Sequence, residues 1–319
     1  MSIHLPVSIE DIRAAAGRIA PQVHRTPLLS NRSIQDRVGT EVRLKCENLQ
    51  RIGAFKIRGA LNALRQLTLD ERKRGVVAFS SGNHAQGVAL AAQILGIRAT
   101  IVMPETAVRK KVDATKAYGA TVVQGGVTES TRGDIAARIV EETGAVLIPP
   151  FDDERVIAGA GTVGLEIAED FPEVENVIVP LGGGGLLAGT ALALTTIKPR
   201  VRLIGVEPEA GNDGQRSFRT GSIVKIAPPS TIADGARTTS IGERNFAIIR
   251  DRVEDIVTVN DPDLLEALVW TMDRTKLVIE PTGALAIAAL LTGAVRVHGP
   301  TVAVISGGNL DYAVLACNE

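Results

Sequence analysis

From Gly75 to Ile148 the chain alternates short, almost wholly apolar runs with stretches whose apolar residues recur at helical spacing, and this rhythm most constrains the fold. Gly75–Phe79, Ala99–Met103, Ala120–Val123 and Ala145–Ile148 read as strands; Asn83–Leu95, Val108–Tyr118 and Ser130–Glu142 between them read as helices. Strands apolar at nearly every position need cover on both faces, which points to βαβ units on a parallel sheet. After Ile148 the rhythm resumes with helix Glu154–Glu169, strand Asn176–Val179, helix Leu186–Thr196 and strand Val201–Val206. Strand Val253–Val259, helices Pro262–Lys276 and Thr282–Leu291, and strand Thr301–Ile305 complete it. Ahead of the rhythm, Ser8 caps helix Ile9–Ala20, Glu41–Cys46 alternates like a half-buried strand, and Ala54–Leu67 is helical. Gly211–Gly242, rich in Gly, Pro, Ser and Thr, reads as loops with one short helix near Gln215–Arg219. The fold class is α/β.

Composition removes several functions. At 319 residues, two domains or one large α/β unit is the expectation. Aromatics are 3% and the net charge is −1, so neither stacking platforms nor a basic footprint for nucleic acid is present. The N-terminal segment has no signal-peptide pattern and no run is long and apolar enough for a bilayer, so a cytoplasmic protein without membrane partners is expected. Cys46 and Cys317 form no metal or disulfide pattern and read as buried small hydrophobes in a reducing compartment. His4 and His298 read as surface residues and His24 as a loop residue.

Chemistry concentrates where strands end. Gly182-Gly183-Gly184-Gly185-Leu186 lies between strand and helix, where backbone N–H groups and a helix N-terminus can hold a phosphate. A tight packing turn would not need four consecutive glycines. The loop is no Walker motif, and it is not at the first βα turn; Glu207, about 20 residues on, keeps a dinucleotide reading open. Lys56, in GAFKIRGA near a predicted helix start, stands between apolar Phe55 and Ile57. That setting disfavours its ammonium and suits a Schiff-base nucleophile. Ser80-Ser81-Gly82-Asn83-His84 and Ser306-Gly307-Gly308-Asn309 are two further polar turns at strand ends. Each alone is an ordinary cap; three together at carboxyl ends point to one crevice.

In order along the chain, AFKIRGA, SSGNHAQG, PLGGGGLLAG, GVEPE, IADGAR, IEPTGA and SGGN resemble the tryptophan-synthase-β-like, or fold type II, pyridoxal-phosphate enzymes. Within them the threonine/serine dehydratases and serine racemases are most similar, and the resemblance spans nearly the whole chain. It implies two domains, each a mostly parallel sheet flanked by helices: a small one over 75–148 inserted into a large cofactor-binding one formed by 1–74 and 149–319. It implies a Schiff base on Lys56 with Phe55 against the cofactor ring, and Asn83 on the ring 3-hydroxyl. The phosphate would lie on Gly182, Gly183, Gly184, Gly185 and Leu186, and Ser306 on the pyridine nitrogen. Ser81, Asn83, His84 and Arg132 would contact substrate.

The implied activity is loss of water and ammonia from a small β-hydroxy amino acid, by default L-threonine or L-serine, giving a 2-oxo acid, with Lys56 as the base. The rival is a racemase, in which Ser81 would protonate the opposite face; dehydratases of hydroxyaspartate or of a hydroxyectoine-pathway compound are further alternatives. Outside this chemistry stand a non-catalytic cofactor carrier and a dinucleotide-dependent dehydrogenase. The serine racemase group also implies a site for Mg²⁺, Ca²⁺ or Mn²⁺ at Glu207, Gly211 and Asp213, against a plain solvated acidic loop. A homodimer is the expected assembly. Two departures stand out: Ile52 and Ala54 replace usual hydroxyl residues, and Arg237-Thr238-Thr239-Ser240 is one residue longer than in the racemases.

Overall fold

The structure, a computed structural model, describes residues 5–318, with side chains to residue 316. The expectations for His4 and for the Cys317 side chain lie outside these. Ten strands form two sheets: β1 (Leu28–Ser30), β2 (Val42–Cys46), β3 (Val76–Phe79), β4 (Ala99–Val102), β5 (Thr121–Val123), β6 (Val146–Leu147), β7 (Asn176–Pro180), β8 (Arg202–Pro208), β9 (Asp255–Val259) and β10 (Thr301–Ile305). The larger sheet runs β1-β2-β10-β7-β8-β9 and the smaller β5-β4-β3-β6. All neighbours are parallel except β1, which pairs antiparallel with β2 at one edge. The parallel, helix-covered architecture expected from the apolar strands is therefore what the chain adopts.

Helices Ile9–Ile19, Glu154–Asp170 and Gly185–Ile197 cover one face of the large sheet, and Asp261–Thr275 and Pro281–Leu291 the other. Glycine sets how closely the first group packs. A Cβ on Gly189 would lie 2.5 Å from the Ile157 carbonyl oxygen, and one on Gly159 would lie 2.5 Å from that of Arg58. Helix Glu154–Asp170 thus touches both helix Gly185–Ile197 and helix Lys56–Arg65 backbone to backbone. Two chemically important helix starts, at Lys56 and at the glycine turn, are fixed against one central rod.

A buried charge cluster locks the same junction. Arg58 donates from Nε to Glu47 Oε2 at 2.8 Å and from Nη1 to Glu166 Oε1 at 2.6 Å. Lys45 pairs with Glu166 as well, and donates to the Thr26 carbonyl at 2.7 Å. Two cations meet two carboxylates, so the cluster is neutral. Burial raises the cost of the Glu47 charge, but Arg58 and Lys45 outweigh it and hold the carboxyl below its usual range.

Among the described residues one strand, Leu28–Ser30, and three α-helices, Arg32–Val38, Leu69–Arg74 and Glu243–Arg252, escape the sequence pattern. The last has a tertiary cause. Its first N–H groups, on Glu243 and Arg244, donate to Asp152 at 3.2 and 2.9 Å, so its cap comes from about 90 residues away. The short edge strand and the two short helices bury too few residues to leave a periodic stripe. Among the described residues no helix is long and apolar enough to cross a membrane. His24 and His298 are exposed, and Cys46 is a buried free thiol, as expected.

Replacing Arg58 with Met would strand Glu47 and Glu166 with half their counter-charge. Loss of about 3–5 kcal/mol is expected on breaking such a pair. Urea unfolding measures it; an unchanged midpoint and slope would contradict the structural weight given to the cluster.

Candidate active site

Three strand ends converge. β10 lies beside β7 in the large sheet, so Ser306-Gly307-Gly308-Asn309 and the glycine turn are neighbours. The turn after β3, in the small sheet, joins them through Asn83, whose Oδ1 accepts from Asn309 Nδ2 at 2.9 Å. The segment before Lys56 is held to the last strand: Phe55 N–H donates to the Ser306 carbonyl at 3.1 Å, and Ala54 bridges Gly307. Ala54 is fully buried at this bridge.

Lys56 is the first residue of its helix and aims its amine at the Pro150 carbonyl, 2.7 Å away. Desolvation pulls its pKa down to about 8, partly opposed by the Glu280 carboxylate. Loss of water therefore dominates over the nearby charge. The next residue after Pro150 carries the chain to the phosphate-type loop, for a Cβ on Gly183 would lie 2.2 Å from the Phe151 ring. Gly184 has φ +98° and caps helix Gly185–Ile197. The N–H groups of buried Gly183 and Gly184, and of half-buried Gly182, donate to no acceptor among the described residues. Buried donors without partners are costly, and a phosphate at the helix N-terminus satisfies them. Residues and chemistry fit pyridoxal phosphate: a lysine amine for its aldehyde and an anion cradle for its phosphate.

Ser81 donates to Glu129 Oε1 and accepts from Arg132 Nη1, and Arg132 pairs with Glu129. Burial lowers the Arg132 pKa and Glu129 opposes that shift. His84 is placed differently: its ring is buried in the small-sheet unit with Nε2 on the Ile148 carbonyl at 2.9 Å. Burial, then Lys56, pushes its pKa to about 3, so the ring is neutral and its Nδ1 has no partner.

Around these stand residues to which sequence reading gave no role of their own: Glu280, Lys111, Asp234 and Asn309. Glu280 accepts from Asn83 Nδ2 at 2.6 Å, and Lys111 pairs with Asp234 while lying 3.8 Å from Glu280 Oε2. The motifs IEPTGA, IADGAR and SGGN marked three of them; Lys111 had no signal beyond a basic helix.

At the other side of β8, Glu207 accepts from the Gly214 and Gln215 N–H groups at 3.1 and 2.8 Å. Burial and the nearby Asp213 raise its pKa. Among the described residues neither Asp213 carboxylate oxygen has a well-formed hydrogen bond, and burial pushes that carboxyl up to about 7, opposed weakly by the Asp213 and Ile241 backbone N–H groups. Two facing carboxylates, one with unused lone pairs, suit a hard cation. Among the described residues no cluster of three His, Cys, Asp or Glu side chains stands here. The Gly211 carbonyl and water would have to complete its shell.

A parallel α/β scaffold with a desolvated lysine facing a phosphate cradle defines a cofactor-dependent enzyme class, and comparison with known proteins identifies it. The family model for pyridoxal-phosphate dependent enzymes matches residues 19–307. The chain belongs to that family. It is 48% identical to the L-threo-3-hydroxyaspartate ammonia-lyase of Saccharomyces cerevisiae, over 96% of this chain and 95% of that one. Its fold matches maize serine racemase with a TM-score of 0.94 and 40% identity, covering 98% and 96% of the two chains. A threonine deaminase from T.th. matches with a TM-score of 0.91 and 49% identity, covering 95% and 99%.

In cofactor-free protein the Lys56 amine should lose its proton between about pH 7 and 9, while exposed lysines remain charged. Peptide mapping of small-reagent acylation against pH checks this. Lys56 labelling that climbed only in step with surface lysines would contradict desolvation as the cause.

Proposed function

We propose that the chain is a pyridoxal-phosphate-dependent ammonia-lyase acting on a small β-hydroxy amino acid. The observation that carries the reading is one desolvated amine, of pKa near 8, packed beside backbone donors with no other acceptor. Pyridoxal phosphate, when bound, supplies an electron sink that acidifies the Cα–H of an attached amino acid. Lys56 would hold its aldehyde and then, as a free amine, take the Cα proton. Gly182 to Leu186 would hold the phosphate through N–H groups, and Phe55 would pack on the ring. Ser306 would face the pyridine nitrogen; a hydroxyl does not protonate it fully, which favours prompt loss of the β-hydroxyl over long charge storage. Ser81, Asn83 and the start of helix Asn83–Leu95 would receive the substrate carboxylate. His84, with its ring turned inward, would contribute through its backbone. The seams at 74/75 and 148/149 would let the small-sheet unit close over the site. A homodimer in the cytoplasm is the assembly and compartment proposed with this function.

L-Threonine and L-serine are the default substrates. One observation favours a second reading, L-threo-3-hydroxyaspartate. Arg132 presents a guanidinium at Ser81 that, among the described residues, is balanced only by the half-exposed Glu129, a partner that a substrate β-carboxylate could displace. The yeast relative's name is consistent with it. The racemase alternative rests on Ser81, whose hydroxyl stands between Arg132 and Glu129.

Proton NMR in D₂O with each substrate tests the set. Appearance of 2-oxo acid supports the lyase; Cα–H loss without it moves the assignment to a racemase. Lys56→Ala should abolish both, and borohydride reduction of the loaded wild type should leave the cofactor on the Lys56 peptide. If hydroxyaspartate is the substrate, Arg132→Ala should lower its kcat/KM on the order of 100-fold while threonine changes little. Equal losses on both would remove the β-carboxylate reading.

Glu207, Gly211 and Asp213 are proposed to hold Mg²⁺, Ca²⁺ or Mn²⁺. Chelation should then lower the melting temperature of wild type and leave Asp213→Asn unmoved, since a ligand stabilises only the state that binds it. Identical responses of the two proteins would argue against the site.

A further inference from the structure

Glu280 is a buried carboxylate that the proposed reaction does not use. It caps helix Pro281–Leu291, and its own N–H donates to the Gly307 carbonyl at 3.1 Å. Its Oε1 reaches under the Ser306-Gly307 turn, where a Cβ on Gly307 would lie 2.3 Å away. There it accepts from Asn83 Nδ2 at 2.6 Å. Among the described residues its buried Oε2 has no hydrogen-bond partner, and the nearest cation is Lys111 Nζ at 3.8 Å.

Asn83 is gripped from its other end by Asn309. The Asn309 amide nitrogen donates to Asn83 Oδ1 at 2.9 Å and to the Ile52 carbonyl at 2.7 Å. Ile52 holds φ +62°, an unfavourable backbone for a β-branched residue, so this carbonyl is set by its surroundings rather than by local preference. The Ile52 carbonyl only accepts hydrogen bonds, so Asn309 presents its NH₂ there and to Asn83 Oδ1, which leaves the Asn83 NH₂ as the end that faces Glu280. Of the two hydrogens there, one is spent on Glu280. The other remains.

We infer that Glu280 is a positioning residue: with Asn309 it clamps the Asn83 carboxamide at both ends and leaves one Asn83 N–H to face the bound cofactor. The inference rests on the proposed role of Asn83 as a cofactor contact and names what fixes it. Four groups face the Glu280 carboxylate: Lys111, Asp234, Asn83 and Lys56. Burial pushes its pKa up to about 7, while Lys111 is the leading influence opposing the rise. Burial pushes Lys111 down, but Glu280 and Asp234 outweigh it and keep the lysine charged. Lys111 belongs to helix Arg109–Ala117, packed with the small sheet, and Asp234 to the turn Asp234–Ala236 of the large-sheet unit. The counter-charge for Glu280 therefore comes from the small-sheet unit.

The test reads the resting holoenzyme rather than its turnover. Absorption of the bound cofactor reports the hydrogen bonding of its ring oxygen, and titration of apoenzyme gives its Kd. Glu280→Gln should keep the wild-type ratio of absorption bands, because the glutamine oxygen still accepts from Asn83. Glu280→Ala should shift the ratio in the direction of Asn83→Ala and raise Kd about tenfold, the effect of losing one hydrogen bond's orientation. The double variant should add nothing further, as coupled groups do not add. Wild-type bands in Glu280→Ala beside shifted bands in Asn83→Ala would overturn the clamp and leave the role of Asn83 standing. A Gln variant as perturbed as the Ala variant would overturn it too, making charge rather than acceptance the point. Unshifted bands in Asn83→Ala, with cofactor still on Lys56, would instead remove the Asn83 contact and the clamp with it. If Glu280→Ala does not fold, Glu280→Asp keeps the charge but not the reach, and the same shift is expected of it.

Discussion

The neutral cluster of Arg58, Glu47, Glu166 and Lys45 carries much of what this site depends on. Arg58 lies two residues beyond Lys56 on the same helix, so whatever holds the guanidinium also holds the reactive amine. Buried ions are poor sources of net stability but strict about geometry, because each must meet its partner or incur an uncompensated charge. Here that strictness ties β2, helix Lys56–Arg65 and helix Glu154–Asp170 into one arrangement. Glycines at 59, 159 and 189 let the same helices approach to backbone contact. The position of Lys56 follows from this core packing together with the pinning of the preceding segment to the last strand.

Around that fixed amine, the local environment sorts ionisable groups into roles. Desolvation brings Lys56 toward neutrality and keeps His84 neutral, while Lys111 stays charged because two carboxylates face it. Loss of water acts in all three, and the difference is whether an opposite charge lies within reach. Asn83 belongs to the small-sheet unit and is held by Glu280 and Asn309, both from the large-sheet unit. The polar contacts that line up the proposed cofactor site are thus also contacts between the two sheet units.

Much of this was legible from the chain. Apolar strands separated by amphipathic helices gave the parallel sheets, and helix Asn83–Leu95 falls on the bounds its pattern sets. Lys56 at a helix start, and the glycine turn and two polar turns at strand ends, were visible as residue types; Arg132 was named only through the family resemblance. Helix Glu243–Arg252 was not, because Asp152 supplies its cap from a remote segment. The His84 ring was not, because only the packed structure sends it to the Ile148 carbonyl. Lys111 looks like an ordinary surface charge in sequence and Glu280 stands out only through its motif, because burial is a property of neither residue alone.

By itself the sequence determined which backbone turns can bind an anion and which strands must be covered on both faces, since glycine content and hydrophobic period act over a few residues. The family follows from those motifs in their order. The tertiary structure alone decided which charges lose water and which polar ends meet. Those depend on distances between segments such as Asn83 and Glu280, or Lys111 and Asp234, far apart in the chain and adjacent only once both sheets have formed.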